Sequence, residues 1–192
     1  MSKKDVETEM QPLYQKLILQ HYRHPCGLGR PALFSHHAVG KNPLCGDALE
    51  IFLATAETSQ PTLTTQQVHD AELSKHDVDP PKDAEPYRIE DAFFDGSGCA
   101  LMTASASILM TILEGASIVQ AQAYVADFLW QLEQRVLREP DPAPCLPESF
   151  AEEITALLAV RAHPARIKCV SLPWMACWAA LEQNSNTIST EA

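Results

Sequence analysis

Three of the six cysteines in this chain of 192 residues stand in contexts that could do chemistry. Cys45 lies in Asn42-Pro43-Leu44-Cys45-Gly46-Asp47, Cys99 in Asp95-Gly96-Ser97-Gly98-Cys99-Ala100, and Cys169 in Arg166-Ile167-Lys168-Cys169-Val170-Ser171. Proline and glycine beside the first two keep the backbone sharply turned, so that thiols can project toward a common point. Zinc takes four ligands in a tetrahedron, thiolates at about 2.3 Å, and accepts a carboxylate among them. Cys45 and Asp47 are two residues apart, which in extended backbone puts both side chains on one face. A thiolate at Cys99 would gain from the N-terminus of a following helix. Cys45, Asp47, Cys99 and Cys169 are thus candidate metal ligands, although spacing alone supports the set only weakly. Lys41, Arg166 and Lys168 are close in sequence to ligands and could offset the net negative charge of such a site. Separations of 54 and 70 residues match no compact zinc finger, so for any single cysteine a buried apolar filler is the competing reading. The other three cysteines read more simply: Cys177 as core, Cys145 as an exposed thiol among prolines, and Cys26 as a turn residue.

The elements that must position these residues follow from periodicity. Leu13, Tyr14, Leu17, Ile18 and His21 recur as a helix that Pro25 ends. Three short strands are expected over 34–40, 48–55 and 88–95. Between the last two, 57–86 is rich in Thr, Gln, Asp, His and Pro and has no period, so it reads as a long polar, disordered insertion. Gly98-Cys99 opens a helix that Gly115 closes, and Ser117 with Gln120 forms a capping box for the next. That helix carries Tyr124, Val125, Phe128, Leu129 and Leu132 on one face. Pro140 to Pro147 break the chain before a helix bearing Phe150, Ile154, Leu157 and Leu158. A last helix is expected to follow Cys169, with Pro173 in its first turn and Trp174, Cys177, Trp178 and Leu181 directed into the core. The fold class is α+β: an N-terminal helix and a small antiparallel three-stranded sheet, packed by C-terminal helices. The chain reads as one domain over 1–192, with a core of about 10–183 and the insertion at 57–86.

Composition narrows the function. With 14 basic against 25 acidic residues, the formal net charge is −11, which repels phosphate backbones, so nucleic acid is not an expected partner. The N-terminus has no apolar run, and Leu101–Leu113 is too short and too polar to span a bilayer. No membrane partner is expected, and the location is read as cytoplasmic, where cysteines stay reduced. Six thiols in such a chain point to metal or sulfur chemistry rather than a disulfide scaffold. His36, His37, His69 and His76 read as solvated surface histidines, and Trp174 with Trp178 as core.

The ordered motifs carry a resemblance. Asn42-Pro43-Leu44-Cys45-Gly46-Asp47, Gly96-Ser97-Gly98-Cys99 followed by Ala104-Ser105, and Arg166-Ile167-Lys168-Cys169 followed by Leu172 and Trp174 resemble the SufU/IscU family of iron–sulfur cluster assembly proteins. Leu13-Tyr14, His21-Tyr22 and His24-Pro25 resemble that family's opening helix and turn, and the similarity spans most of 10–183. It implies a compact α+β domain whose exposed metal site uses the three cysteines and Asp47. In the family's scaffold type a histidine precedes the third cysteine and can ligate a [2Fe–2S] cluster. Lys168 stands there in this chain, as in the SufU type, which the resemblance links to zinc and to sulfur taken from a cysteine desulfurase (SufS-like). The scaffold type's chaperone-recognition segment is replaced by His163-Pro164-Ala165-Arg166. The insertion and Cys26, where a basic residue is more usual, are further departures from the pattern.

Three functions follow, in order. The first is a zinc-bound site whose Cys45 accepts persulfide sulfur, as a sulfurtransferase does, and passes it to downstream scaffold or acceptor proteins. The second is a scaffold that assembles a [2Fe–2S] cluster, with iron or the cluster as occupant. The third is an adaptor with a structural metal. Cys45 is the expected sulfur acceptor because it lies on a short connection between strands, whereas Cys99 and Cys169 lead into helices.

Overall fold

A computed structural model describes residues 14–57, 87–133, 146–183 and 187–190. Helix α1 covers 14–23, and the chain then turns through glycines 27 and 29 into strand β1 (His36–Asn42). β2 (Asp47–Glu57) and β3 (Tyr87–Ser97) follow, then α2 (Ala100–Leu113), α3 (Ile118–Glu133), α4 (Ala151–Leu158), α5 (Pro164–Leu181) and the two-residue β4 (Ile188–Ser189). Short 3-10 turns, Glu148–Phe150 and Ala159–Ala162, flank α4.

The sheet order is β3-β2-β1-β4. β1–β2 and β2–β3 are antiparallel, as expected, and β4 adds in parallel to β1 at Gly40 and Lys41. The α+β class stands, while the sheet has four strands and is mixed rather than three-stranded and antiparallel. The polar C-terminal segment that forms β4 offers no alternation to read. The ladders also run longer than the apolar patterns, because Glu57, Tyr87 and Ser97 are held by pairing rather than by burial of a side-chain face. One sheet face, with Ala38, Leu49, Ile51, Leu53, Ile89, Ala92 and Phe94, forms a single core with α2, α3 and α5.

Local signals explain the helices. Ser117 and Gln120 form the reciprocal capping box: Ser117 N donates to Gln120 Oε1 at 2.9 Å and Gln120 N to Ser117 Oγ at 3.2 Å. Gly115 takes the left-handed conformation (φ +77°) that turns the chain after α2. Trp174 is fully buried and stacks on Phe128 with centroids 3.8 Å apart, a contact worth about 1 kcal/mol beyond area burial. Cys177 is fully buried, as expected, and Trp178 is partly buried.

Two expectations need correction. The last helix does not begin after Cys169: it starts at Pro164, whose fixed φ suits a first helical position. Cys169 therefore sits within α5, and Pro173 lies inside the helix, where a proline costs about 3 kcal/mol unless the surroundings compensate. His36 and His37 are half-buried rather than freely solvated. His37 Nε2 lies 2.9 Å from Glu50 Oε2 and its ring stacks on Phe52. The insertion (apart from Glu57, which closes β2), His69, His76, Cys145 and Pro140 lie outside the described residues.

Candidate metal centre

The β1–β2 connection is a compact turn. Asn42, itself buried, accepts Gly46 N on its carbonyl at 2.9 Å and Leu44 N on its side-chain oxygen at 3.2 Å. Gly46 has φ +77°, a conformation open to glycine, and the turn leaves Cys45 exposed at its tip. Asn42 was not singled out from the sequence, although an Asn-Pro pair ahead of a glycine is a turn signal. Asp47, the first residue of β2, is buried at 2% exposure and lies beneath that tip.

Asp47 reaches the next element directly. Cys99 is the N-cap of α2 and makes no side-chain cap of its own. Its backbone N–H donates instead to Asp47 Oδ1 at 2.8 Å, and its Sγ lies 3.5 Å from Asp47 Oδ2. The approach needs a glycine at 98, because a Cβ there would fall 2.8 Å from Asp47 Oδ1 and 2.4 Å from Met102 Cε. From α5, Cys169 projects into the same place at 1% exposure, its Sγ 3.8 Å from Cys45 Sγ.

One candidate ligand atom from each of Cys45, Asp47 and Cys169 lies within 4.8 Å of the other two. Cys99 stands outside that tightest group and joins it through Asp47. The donor types suit zinc, and the sulfur separation does as well. Two thiolates at about 2.3 Å on a tetrahedral centre stand about 3.8 Å apart, as Cys45 and Cys169 do.

The electrostatics of the site follow from burial and from the closeness of three thiols to one carboxylate. Burial pushes the Cys45 thiol above its ordinary range, and its side-chain hydrogen bond with Asp47 adds to this. Cys169 is pushed further up, by burial first, then by Asp47 and Cys99 beside it. Burial alone would also raise Asp47. The hydrogen bonds from Cys45, the Cys99 amide and the neighbouring thiols outweigh it and hold Asp47 below the usual carboxylate range. Such a pocket, with thiols that resist deprotonation beside a carboxylate, would release protons on taking a divalent metal. Lys41 and Arg166 are exposed and Lys168 half-buried, and among the described residues none of the three forms an ion pair.

Known proteins resemble this chain in sequence and in fold. A family model for the NifU-like N terminal domain matches residues 82–170, which include Cys99 and Cys169. The chain is 29% identical over 165 residues to the zinc-dependent sulfurtransferase SufU of Bacillus subtilis, covering 85% of this chain and 86% of that one. It is 27% identical over 180 residues to the iron–sulfur cluster assembly scaffold protein IscU of Streptococcus pyogenes, covering 93% and 89%. The fold is shared with a Fervidobacterium islandicum protein assigned as an iron–sulfur assembly scaffold of the SUF system (TM-score 0.60, 20% identity, 88% of this chain and 96% of that one). It is also shared with the N-terminal part of a NifU-like protein from Brucella abortus (TM-score 0.59, 19% identity, 90% and 94%). Among the described residues no helix is long and apolar enough to cross a membrane. In sequence and fold the chain thus resembles the SufU/IscU family of iron–sulfur cluster assembly proteins, with the match to the NifU-like N terminal domain falling on residues 82–170.

Proposed function

We propose that this chain accepts persulfide sulfur on Cys45 from a cysteine desulfurase and passes it on to iron–sulfur cluster assembly, with Cys45, Asp47, Cys99 and Cys169 holding zinc. The observation that carries this reading is one exposed thiol, Cys45, grouped with a buried thiol and a buried carboxylate. The relative named a zinc-dependent sulfurtransferase supports it, as does Lys168 in the position where a cluster-ligating histidine would stand.

Zinc bound there would keep the thiols deprotonated near neutral pH. The Cys45 thiolate attacks the outer sulfur of the desulfurase persulfide. A new S–S bond forms to Cys45, the old S–S bond breaks, and the desulfurase cysteine leaves as a thiolate. The proton travels with the transferred sulfur, and no oxidant or reductant is consumed. Exposure at the tip of a glycine-containing turn gives Cys45 access to a partner, whereas Cys169 is buried inside a helix and Cys99 caps one. Arg166, Lys168 and Lys41 supply positive charge that favours the attacking thiolate.

The test is persulfide trapping and mass-spectrometric mapping after reaction with a cysteine desulfurase and cysteine, on protein purified without added iron. Sulfur is expected on Cys45, with about one zinc per chain. Cys45→Ser is expected to abolish desulfurase stimulation and to lose less metal than Cys99→Ser. Sulfur on Cys99 or Cys169 with Cys45 unmodified would sink the assignment. The relative named an assembly scaffold supports a second reading, assembly of a [2Fe–2S] cluster on the same residues. A brown protein with visible charge-transfer bands would favour that reading.

A further inference from the structure

Pro173 lies inside α5, and a proline there leaves the carbonyl four residues earlier without its helical amide donor. That carbonyl belongs to Cys169. The adjoining carbonyl, Val170 O, accepts a hydrogen bond from Ser105 Oγ of α2 at 2.8 Å. The same hydroxyl accepts the Trp174 indole N–H at 3.0 Å. Ser105, Val170 and Trp174 are all fully buried, so these bonds are sheltered from water. The ladder of α5 is thus opened at Cys169 and engaged from outside one residue later. A local opening of this kind lets a helix change direction.

The direction of α5 is fixed after Cys169, at the opened turn and one turn beyond it. Leu172 and Ala176 press on β1 so closely that a Cβ at Gly40 would come within 3.0 and 3.1 Å of them. The side chain before the opening, Cys169, must reach across to the β1–β2 turn, where its Sγ stands 3.8 Å from Cys45 Sγ. A regular helix clamped at Gly40 would set the backbone at 169 by its own geometry, independently of that turn.

We propose that Pro173 and Ser105 are positioning residues for Cys169: the proline releases the Cys169 carbonyl from the helix, and Ser105 pins the opened turn, so that the Cys169 thiol is set against Cys45 before any metal arrives. This rests on Cys169 being part of the site described above, and it deepens that reading by naming what aims the buried ligand.

The test is the rate of Cys45–Cys169 disulfide formation in metal-free protein treated with diamide, with the pairing mapped by mass spectrometry. It requires neither a metal nor a sulfur donor, so it stands or falls separately from sulfur acceptance. Pro173→Val restores the amide at similar bulk and is expected to slow the reaction roughly tenfold or more while the fold is kept, since small misplacements carry large rate costs. The same variant should lose zinc faster to a colorimetric chelator. Ser105→Ala removes the pin without altering α5 itself and should slow the disulfide in the same direction. An unchanged rate in a folded Pro173→Val overturns the proposal. If Pro173→Val fails to fold, Ser105→Ala decides: a slowed disulfide supports the proposal, and the wild-type rate overturns it, since the proline would then be a packing requirement only.

Discussion

Asp47 uses its two oxygens for different purposes. One takes the free N–H at the start of α2, and the other faces the thiols. The carboxylate is therefore a helix cap as well as a candidate ligand, so its removal should cost stability even without metal. Asp47→Ala is expected to destabilise the metal-free protein by about 1 kcal/mol, the usual worth of a lost cap, and Asp47→Asn by less, because an amide oxygen still accepts the bond. The pH dependence has a definite sign. The folded-state pKa of Asp47 is depressed, so its stabilisation is complete above the ordinary carboxylate value of about 4 and is lost as pH falls through the folded value. Thermal melts of metal-free protein below about pH 4 should thus fall more steeply for wild type than for Asp47→Asn. Equal slopes would remove Asp47 from the acid transition. At this scale the turn residues around Cys45 and Cys99 suggest projecting thiols, but spacing alone left each cysteine open to a core reading, and it was the motif resemblance that put Cys45, Asp47 and Cys169 together, as the structure groups them. The capping role of Asp47 was not legible, since it depends on a contact across 52 residues of sequence.

Each candidate ligand inherits its place from an element: Cys45 from the β1–β2 turn, Cys99 from the start of α2, Cys169 from α5. One close seam between two of these carriers is Gly40 of β1 beneath Leu172 and Ala176 of α5. Gly40→Val should push α5 from the sheet, at a cost of about 1–3 kcal/mol for overpacking. It should also weaken zinc retention, because Cys169 travels with the helix, whereas Gly40→Ala should be milder since the Leu172 side chain can turn aside. Urea denaturation and chelator competition would measure both, and a Gly40→Val protein with wild-type stability and metal retention would refute the seam. The helices were legible where their signals are local, as with the Ser117–Gln120 box and the apolar face of α3. The start of α5 was misjudged because two prolines, 164 and 173, could each open a helix, and only packing shows that the second is interior. β4 could not be read because a two-residue strand in a polar tail, pairing with β1 at Gly40 and Lys41, carries no alternation.

For the whole molecule, the decisive distance is the length of the β2–β3 ladder. Ala48 and Ser97 are paired at one end, next to Asp47 and the site, and Glu57 and Tyr87 at the other. Each strand has 11 residues, so the two ends are roughly 30 Å apart along the sheet. Residues 58–86 therefore leave and rejoin the domain at neighbouring, paired positions, marked also by the Tyr87 hydroxyl donating to Glu57 Oε1 at 3.1 Å. That pairing makes a direct replacement feasible. Joining Glu57 to Tyr87 through Asn-Gly, the residues a two-residue hairpin turn prefers, should preserve the fold and the site. Closing a loop of this length costs about 2 kcal/mol more in chain entropy than closing a two-residue turn, so the shortened protein should melt at the same temperature or higher. Zinc content and persulfide capture at Cys45 should be unchanged, since no described residue of the site lies near that end of the ladder. Circular dichroism, thermal melts and metal analysis of the shortened chain are the measurements. If melting stays at wild-type level while zinc is lost, residues 58–86 take part in the site, and the reading of 58–86 as an insertion separate from the domain's chemistry fails.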